Sequence, residues 1–226
     1  TWMIDNFGDT NLKERFVPDL CTLKKISSYC LTEPGAGSDA GGLRTKAEKS
    51  GDHYIVNGTK SFISGGGFSD IYVTMVKTDE NSISALVVDK DSEGLSFGSQ
   101  EKKMGWNSQP TSQVIFEDCK VPIENLIGNE GDGFKIAMMG LDGGRLNIAA
   151  CSLGTAQSAY EQAVKYVGER EQFGKKIQEF QALQFKLADM STDLEASRLM
   201  LREAARKADE NSSGGGRCRA GTRAGR

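Results

Sequence analysis

The stretch HYIVNGTKSFIS, His53 to Ser64, decides the fold. It sets Asn57-Gly58 between two apolar runs, the strongest short-range signal for a β-hairpin. Outward from it, IYVTMVKT and ISALVVDK are β-branched runs of strand length, separated by the polar DENS. GLSFGSQ and SQVIFEDCKV follow at the spacing of a barrel or sandwich. The pattern from Tyr29 to about Ile127 is therefore β. Before it, up to Leu23, the chain supports one or two short helical pieces ahead of Pro18.

After Gly133 the period changes. Phe134, Met138, Leu141, Ile148, Ala156, Tyr160, Ala163 and Val167 recur at helical intervals, with Gly143-Gly144 weakening that helix in its first third. From about Ile177, Phe180, Leu183, Leu187, Met190, Leu194 and Leu201 mark one face of a second helix. Two long antiparallel helices make half of a four-helix bundle, so each is expected to keep an apolar stripe uncovered. NSSGGGRCRAGTRAGR at the end is Gly/Ser/Arg-rich and reads as a disordered tail over 211–226.

Composition narrows the chemistry. The chain has 226 residues, 38% hydrophobic and 26% charged, with ample length for a buried core. A net charge of -3 gives no general pull toward nucleic acid, and no run is long enough to span a membrane. The 5 cysteines (Cys21, Cys30, Cys119, Cys151, Cys218) are odd in number and scattered, which argues against a disulfide framework and a zinc site. With His53 the sole histidine, Ser-His-Asp and Cys-His catalysis are nearly excluded. His53 sits in GDHY and reads as a loop residue beside a turn. No metal site is expected. The chain starts at Thr1 without a targeting pattern, which reads as processing or as a fragment.

Two glycine-bearing segments stand out. In YCLTEPGAGSD, Tyr29 to Asp39, amides around Gly35 and Gly37 could form an anion-binding nest, or admit a flat ligand close to the main chain. A plain Gly/Pro turn explains the same residues. FISGGG, Phe62 to Gly67, ends a strand with an aromatic, a hydroxyl and three glycines. That suits a ring ligand lying on sheet backbone, or simply a glycine-rich strand end.

TEPGAGSD, FISGGG, KKMGWNSQPT, VIFEDCKVP, GDGF, LDGGR and REQFGKKIQEFQ occur in this order. Together they resemble the acyl-CoA dehydrogenase family of flavoproteins, from about Trp2 to Glu210. The resemblance implies an α+β fold: the end of an N-terminal helical domain (1–28), a middle β-barrel domain (29–127), and the first half of a C-terminal helical domain (128–210). It implies FAD as cofactor and a short branched-chain acyl-CoA as substrate, as in valine catabolism. Electron-transfer flavoprotein would be the acceptor, in a homotetramer of the mitochondrial matrix. FAD would be held by Tyr29, Cys30, Leu31, Thr32, Gly37, Ser38, Phe62, Ile63, Ser64, Arg170, Phe180 and Gln181. Thr32 would lie near the isoalloxazine, Phe62 would stand where many members have Trp, and Arg170 would pair with the pyrophosphate across a subunit interface. Ser38, Asp142, Gly143, Gly144 and Arg145 would border the acyl-CoA.

By residue pattern alone, Arg170 is an exposed helix-end charge, and Asp142 with Arg145 is an i,i+3 ion pair. The family's glutamate base has no match at either of its usual positions, since Gly144 precedes Arg145 and the chain ends first. Glu33 and Glu130 lie in the right regions but on no catalytic position. The expectation is a fragment without its base. Alternatives are a non-catalytic flavin- or acyl-CoA-binding remnant, an acyl-CoA oxidase, or an interaction module with merely structural glycines.

Overall fold

A computed structural model describes residues 1–212 and divides the chain into two units, Thr1–Gly140 and a second beginning at Leu141. The first unit opens with helices α1 (Trp2–Phe7) and α2 (Thr10–Cys21). Asp9 caps α2 by accepting from Leu12 N at 2.7 Å, and Leu12, Phe16 and Leu20 form its buried stripe. This helix continues through Pro18, against the expectation that helical pieces stop before it. Burial of Leu20 and a bond from Thr22 N to Pro18 O (3.1 Å) hold the last turn despite the missing proline N–H.

The helices precede an 8-stranded sheet. Its strands are β1 (Ser27–Cys30), β2 (Lys46–Ser50), β3 (His53–Ser64), β4 (Ile71–Asp79), β5 (Ser82–Asp89), β6 (Leu95–Phe97), β7 (Thr111–Pro122) and β8 (Leu126–Ile127). The path runs β6-β7-β3-β2-β4-β5-β8, and β1 adds in parallel to the edge of β4 that β2 meets at Lys46–Lys77. The path has two ends, and no pairing joins β6 to β8 among the described residues. Tyr54, Val56, Tyr72, Val76, Leu86, Val88, Val114, Phe116 and Val121 fill one core enclosed by the curved sheet.

The hairpin expected at Asn57-Gly58 is absent: His53–Ser64 is one continuous strand. The turn lies earlier, where Ser50 faces His53 across Gly51-Asp52, with Gly51 at φ 63°. His53 is accordingly the first residue of β3 rather than a loop residue, its Nδ1 2.5 Å from Asp52 Oδ1. At Asn57 the opposite strand bulges instead. Asn57 Oδ1 accepts from Asp118 N (2.8 Å), Asn57 Nδ2 donates to Asp118 Oδ1 (3.0 Å), and the register shifts between Val56 and Gly58. Gly58 is glycine for space as well as angle: at φ 149°, a Cβ would sit 2.5 Å from Thr45 Oγ1.

The second shift, between Lys60 and Ile63, places the extra residue in β3 itself. Tyr54, Val56 and Lys60 point inward, so strict alternation would send Phe62 inward too. The bulge reverses the parity. Ile63 enters the core and Phe62 is turned out, 67% exposed, at φ 58°.

In the second unit, α3 (Gly133–Glu169, which begins in the first) and α4 (Gln181–Ser212) are joined by a small hairpin, β9 (Glu171–Gln172) and β10 (Lys175–Lys176). Gly143-Gly144 do not interrupt α3. Arg198 Nη2 donates to Gln157 Oε1 at 2.7 Å between the helices. Of the described residues here only Val167 is buried, so the helices keep their apolar faces open, as their stripes imply. α4 reaches Ser212, two residues into the expected tail; the remainder of that tail lies outside the described residues.

Gly58→Ala should cost about 2–3 kcal/mol of stability, because both the angle and Thr45 oppose it. Gly51→Ala, with positive φ but open space, should cost about 1 kcal/mol. Urea unfolding of both variants checks the difference, and equal losses would contradict the close packing of Gly58 on Thr45.

Candidate functional site

Glu33 closes a tight turn on itself: its N–H donates to Ala36 O (2.9 Å) and Ala36 N–H donates back to Glu33 O (3.2 Å) across Pro34-Gly35. Its side chain turns inward. Glu33 Oε2 accepts from Arg44 N at 2.6 Å, while Oε1 accepts from Thr45 N (2.9 Å), Thr45 Oγ1 (2.6 Å) and Lys60 Nζ (2.8 Å). Lys60 is fully buried and also donates to Leu31 O at 3.2 Å. Burial alone would push the Glu33 carboxyl up. The bonds from Lys60, Thr45 and Arg44 outweigh it and hold the group below the ordinary carboxylate range. The segment is thus first of all a clamped turn, and Glu33 is fully engaged in the clamp.

The clamp lays 31–33 alongside 60–61, with Ser61 N–H donating to Thr32 O at 2.8 Å. Phe62 comes next, facing out. Among the described residues the amides of Gly35, Gly37 and Ser38 donate to no protein group, and a Cβ at Gly35 or Gly37 would meet nothing within 4 Å. Tyr29 lies on β1, its Oη buried without a partner, and burial raises its phenol well above the usual range. Ser38 and Ser64 are exposed, and Ser64 O accepts from Ser28 Oγ at 2.5 Å. Cys30 and Ile63 direct their side chains into the core, and burial lifts the Cys30 thiol to about 12, leaving an inert group.

The space beside Gly65 and Gly66 of FISGGG is filled by the protein itself. A Cβ on Gly65 would lie 2.5 Å from Ser28 Oγ, and one on Gly66 2.5 Å from Ser112 Oγ. Tyr72 Oη bridges the same turn, accepting from Gly67 N at 3.1 Å. For these two glycines the strand-end reading holds, and the aromatic before them is the available feature. Glu130 is likewise engaged: it accepts from Tyr54 Oη and pairs with Lys49 at 2.7 Å, which keeps its carboxyl low.

In the second unit, Arg170 directly follows α3, Phe180 directly precedes α4, and Gln181 is the first residue of α4. The hairpin gathers this end, with Arg170 O accepting from Ile177 N at 2.9 Å. Lys175 Nζ stands 4.4 Å over the Phe180 ring, which packs edge-on against Phe173. Arg170 and Gln181 are exposed. Asp142 and Arg145 form the i,i+3 pair, 2.7 Å apart and well exposed, beside Gly143 and Gly144 in open space. Met104 and Trp106 lie in the KKMGWNSQPT motif, carry no role in the sequence reading, and are both exposed. Trp106 has φ 53° and is exposed, in a loop held by Lys103 Nζ donating to Trp106 O at 2.8 Å. The Met-Gly-Trp string was the available signal.

The acyl-CoA dehydrogenase middle-domain model matches residues 28–119, and the acyl-CoA dehydrogenase C-terminal-domain model matches residues 131–220. The chain belongs to the acyl-CoA dehydrogenase family. Mitochondrial isobutyryl-CoA dehydrogenase of Dictyostelium discoideum is 57% identical over 211 residues, 92% of this chain and 51% of that protein. A subunit of the caffeyl-CoA reductase–Etf complex of Acetobacterium woodii is 48% identical over 196 residues, 85% of this chain and 52% of that one. The crystal structure of an acyl-CoA dehydrogenase complexed with FAD from Bacillus anthracis superposes with a TM-score of 0.89 at 37% identity. That match covers 93% of this chain and 37% of the other. The chain therefore spans about half the length of the curated relatives it matches. The α+β fold is that of the acyl-CoA dehydrogenases, and the matches fall in their middle and C-terminal domains.

Glu33→Gln leaves the Lys60 ammonium buried beside a neutral amide and should cost about 3–5 kcal/mol. Because the folded Glu33 carboxyl lies below its unfolded value, its contribution is fully present above about pH 4.3 and disappears as pH falls through the folded value. Thermal melts of the wild type should therefore show an acid limb that is reduced in Glu33→Gln. An unchanged acid limb would remove Glu33 from the linkage.

Proposed function

We propose that the whole protein is an FAD-dependent acyl-CoA dehydrogenase acting on a short branched-chain acyl-CoA of the isobutyryl type. The observation that carries this is the outward Phe62, brought beside Thr32 by the Ser61-to-Thr32 bond, together with the unpartnered Tyr29 hydroxyl and the free amides of Gly35, Gly37 and Ser38. An exposed aromatic, small open glycines and an orphaned buried hydroxyl suit a flat heteroaromatic ring. Tyr29 to Thr32, Gly37, Ser38 and Phe62 to Ser64 would line the flavin. Cys30, Leu31 and Ile63 would do so through backbone, because their side chains are buried. Arg170, Phe180 and Gln181 would reach flavin through a neighbouring subunit, Arg170 toward the pyrophosphate. The division at 1–28, 29–127 and 128–210 belongs to the same proposal, as do the homotetramer, the mitochondrial matrix and an electron-transfer flavoprotein partner.

When bound, the flavin would supply two-electron oxidising chemistry for α,β-dehydrogenation of the thioester. The chain's own residues orient and exclude water. Ser38 would face the acyl-CoA. Asp142, Gly143, Gly144 and Arg145 of α3 would border its thioester and pantetheine end; hydrogen bonds to the thioester carbonyl would stabilise the developing enolate charge. Glu33 and Glu130 are committed to ion pairs, so we assign neither as base. Proton abstraction falls to the part of the relatives' length outside the matched span.

Titration of the purified chain with FAD, followed by flavin fluorescence and absorbance, should give saturable binding; no binding overturns the reading. With isobutyryl-CoA and an artificial electron acceptor, the 226-residue chain should turn over far below a full-length relative. Equal turnover overturns the placement of the base. Asp142→Ala should change stability by less than about 0.5 kcal/mol, its ion pair being exposed, while weakening acyl-CoA binding in calorimetry.

A further inference from the structure

We propose that Glu33 and Lys60 are positioning residues for the flavin: their ion pair sets the Thr32 loop and the Phe62 bulge relative to one another. This deepens the flavin reading above and rests on it. A buried ion pair is a weak source of stability, since apolar side chains of similar volume often serve as well. What this pair supplies is direction. Lys60 Nζ reaches Leu31 O at 3.2 Å and Glu33 Oε1 at 2.8 Å, and Ser61 N–H reaches Thr32 O at 2.8 Å. Three successive loop residues are thereby tied to two successive residues of β3.

Phe62 follows those two residues, at φ 58°. A non-glycine residue holds such an angle only where its neighbours over-determine it. On one side Lys60 and Ser61 are buried and tethered. On the other, Ile63 is buried, pairs with Ser112, and accepts from Gly66 N at 3.0 Å. The Thr32 hydroxyl makes no hydrogen bond among the described residues, and the Phe62 ring is exposed. The pair thus fixes, with respect to each other, two side chains that are left open to a ligand.

The test uses the full chain, with FAD as the probe. The double variant Glu33→Gln/Lys60→Met removes both charges at nearly constant volume and keeps a side-chain oxygen for Arg44 N or Thr45 N. Without FAD its Tm should stay within a few degrees of wild type. Its FAD Kd should rise at least about tenfold, with altered visible absorption and circular dichroism of the bound flavin. Thr45→Val, which deletes one bond to Glu33 and leaves Lys60 paired, is the milder variant. It should raise Kd about threefold with a spectral shift in the same direction. A folded double variant that matches wild type in Kd and spectrum overturns the inference while the flavin reading stands. If the double variant does not fold, Thr45→Val decides, and its identity with wild type overturns the inference. A wild-type chain that binds no FAD overturns both.

Discussion

A carboxylate and an ammonium buried together are the constraint on which the β unit depends. Glu33 and Lys60 come from segments 27 residues apart, and neither could be buried alone without several kcal/mol of desolvation. Each therefore dictates where the other's backbone lies. Around them, the amides of Arg44 and Thr45 find their acceptor, which brings the chain entering β2 against the loop. Thr45 can come that close because Gly58 has no side chain. One polar knot thus joins the loop after β1, the start of β2 and the middle of β3.

The two bulges in the β3–β7 pairing act as a matched set. The first adds a residue to β7 and the second adds one to β3, so the register returns to its starting value. Only the second changes which way β3 side chains point. It separates a hydrophobic strand that would have buried its aromatic from one that displays it. The conformational cost at Phe62 is local, and the surrounding pairs hold it in place.

The helical unit follows a different rule. α3 and α4 satisfy their own backbone bonds and need only side-chain packing, yet the apolar groove between them, lined by Leu153, Ala156, Tyr160, Met190, Leu194 and Leu201, stays open. The polar contacts there are those of a solvated surface: Arg198 to Gln157, and ion pairs at i,i+3 and i,i+4 spacing. Arg170, Phe180 and Gln181 gather at the one end where the chain reverses. Their relation to each other is set by a hairpin of a few residues rather than by a core.

Periodicity alone determined most of the architecture. The β-branched runs became β4 and β5, and the helical stripes became α3 and α4, because side-chain period is a local property of each element. The family motifs, being local strings, likewise marked the loop at 29–39 and the strand end at 62–67. Two features were decided only by tertiary structure. Asn57-Gly58 has the composition of a turn, but Asp118 and Thr45, distant in sequence, hold it inside a strand. Glu33 reads as one more acidic loop residue until Lys60 is folded against it, when it becomes the buried anchor of YCLTEPGAGSD. In both cases the deciding partner lies far along the chain, where no spacing rule applies and desolvation and steric fit choose the outcome.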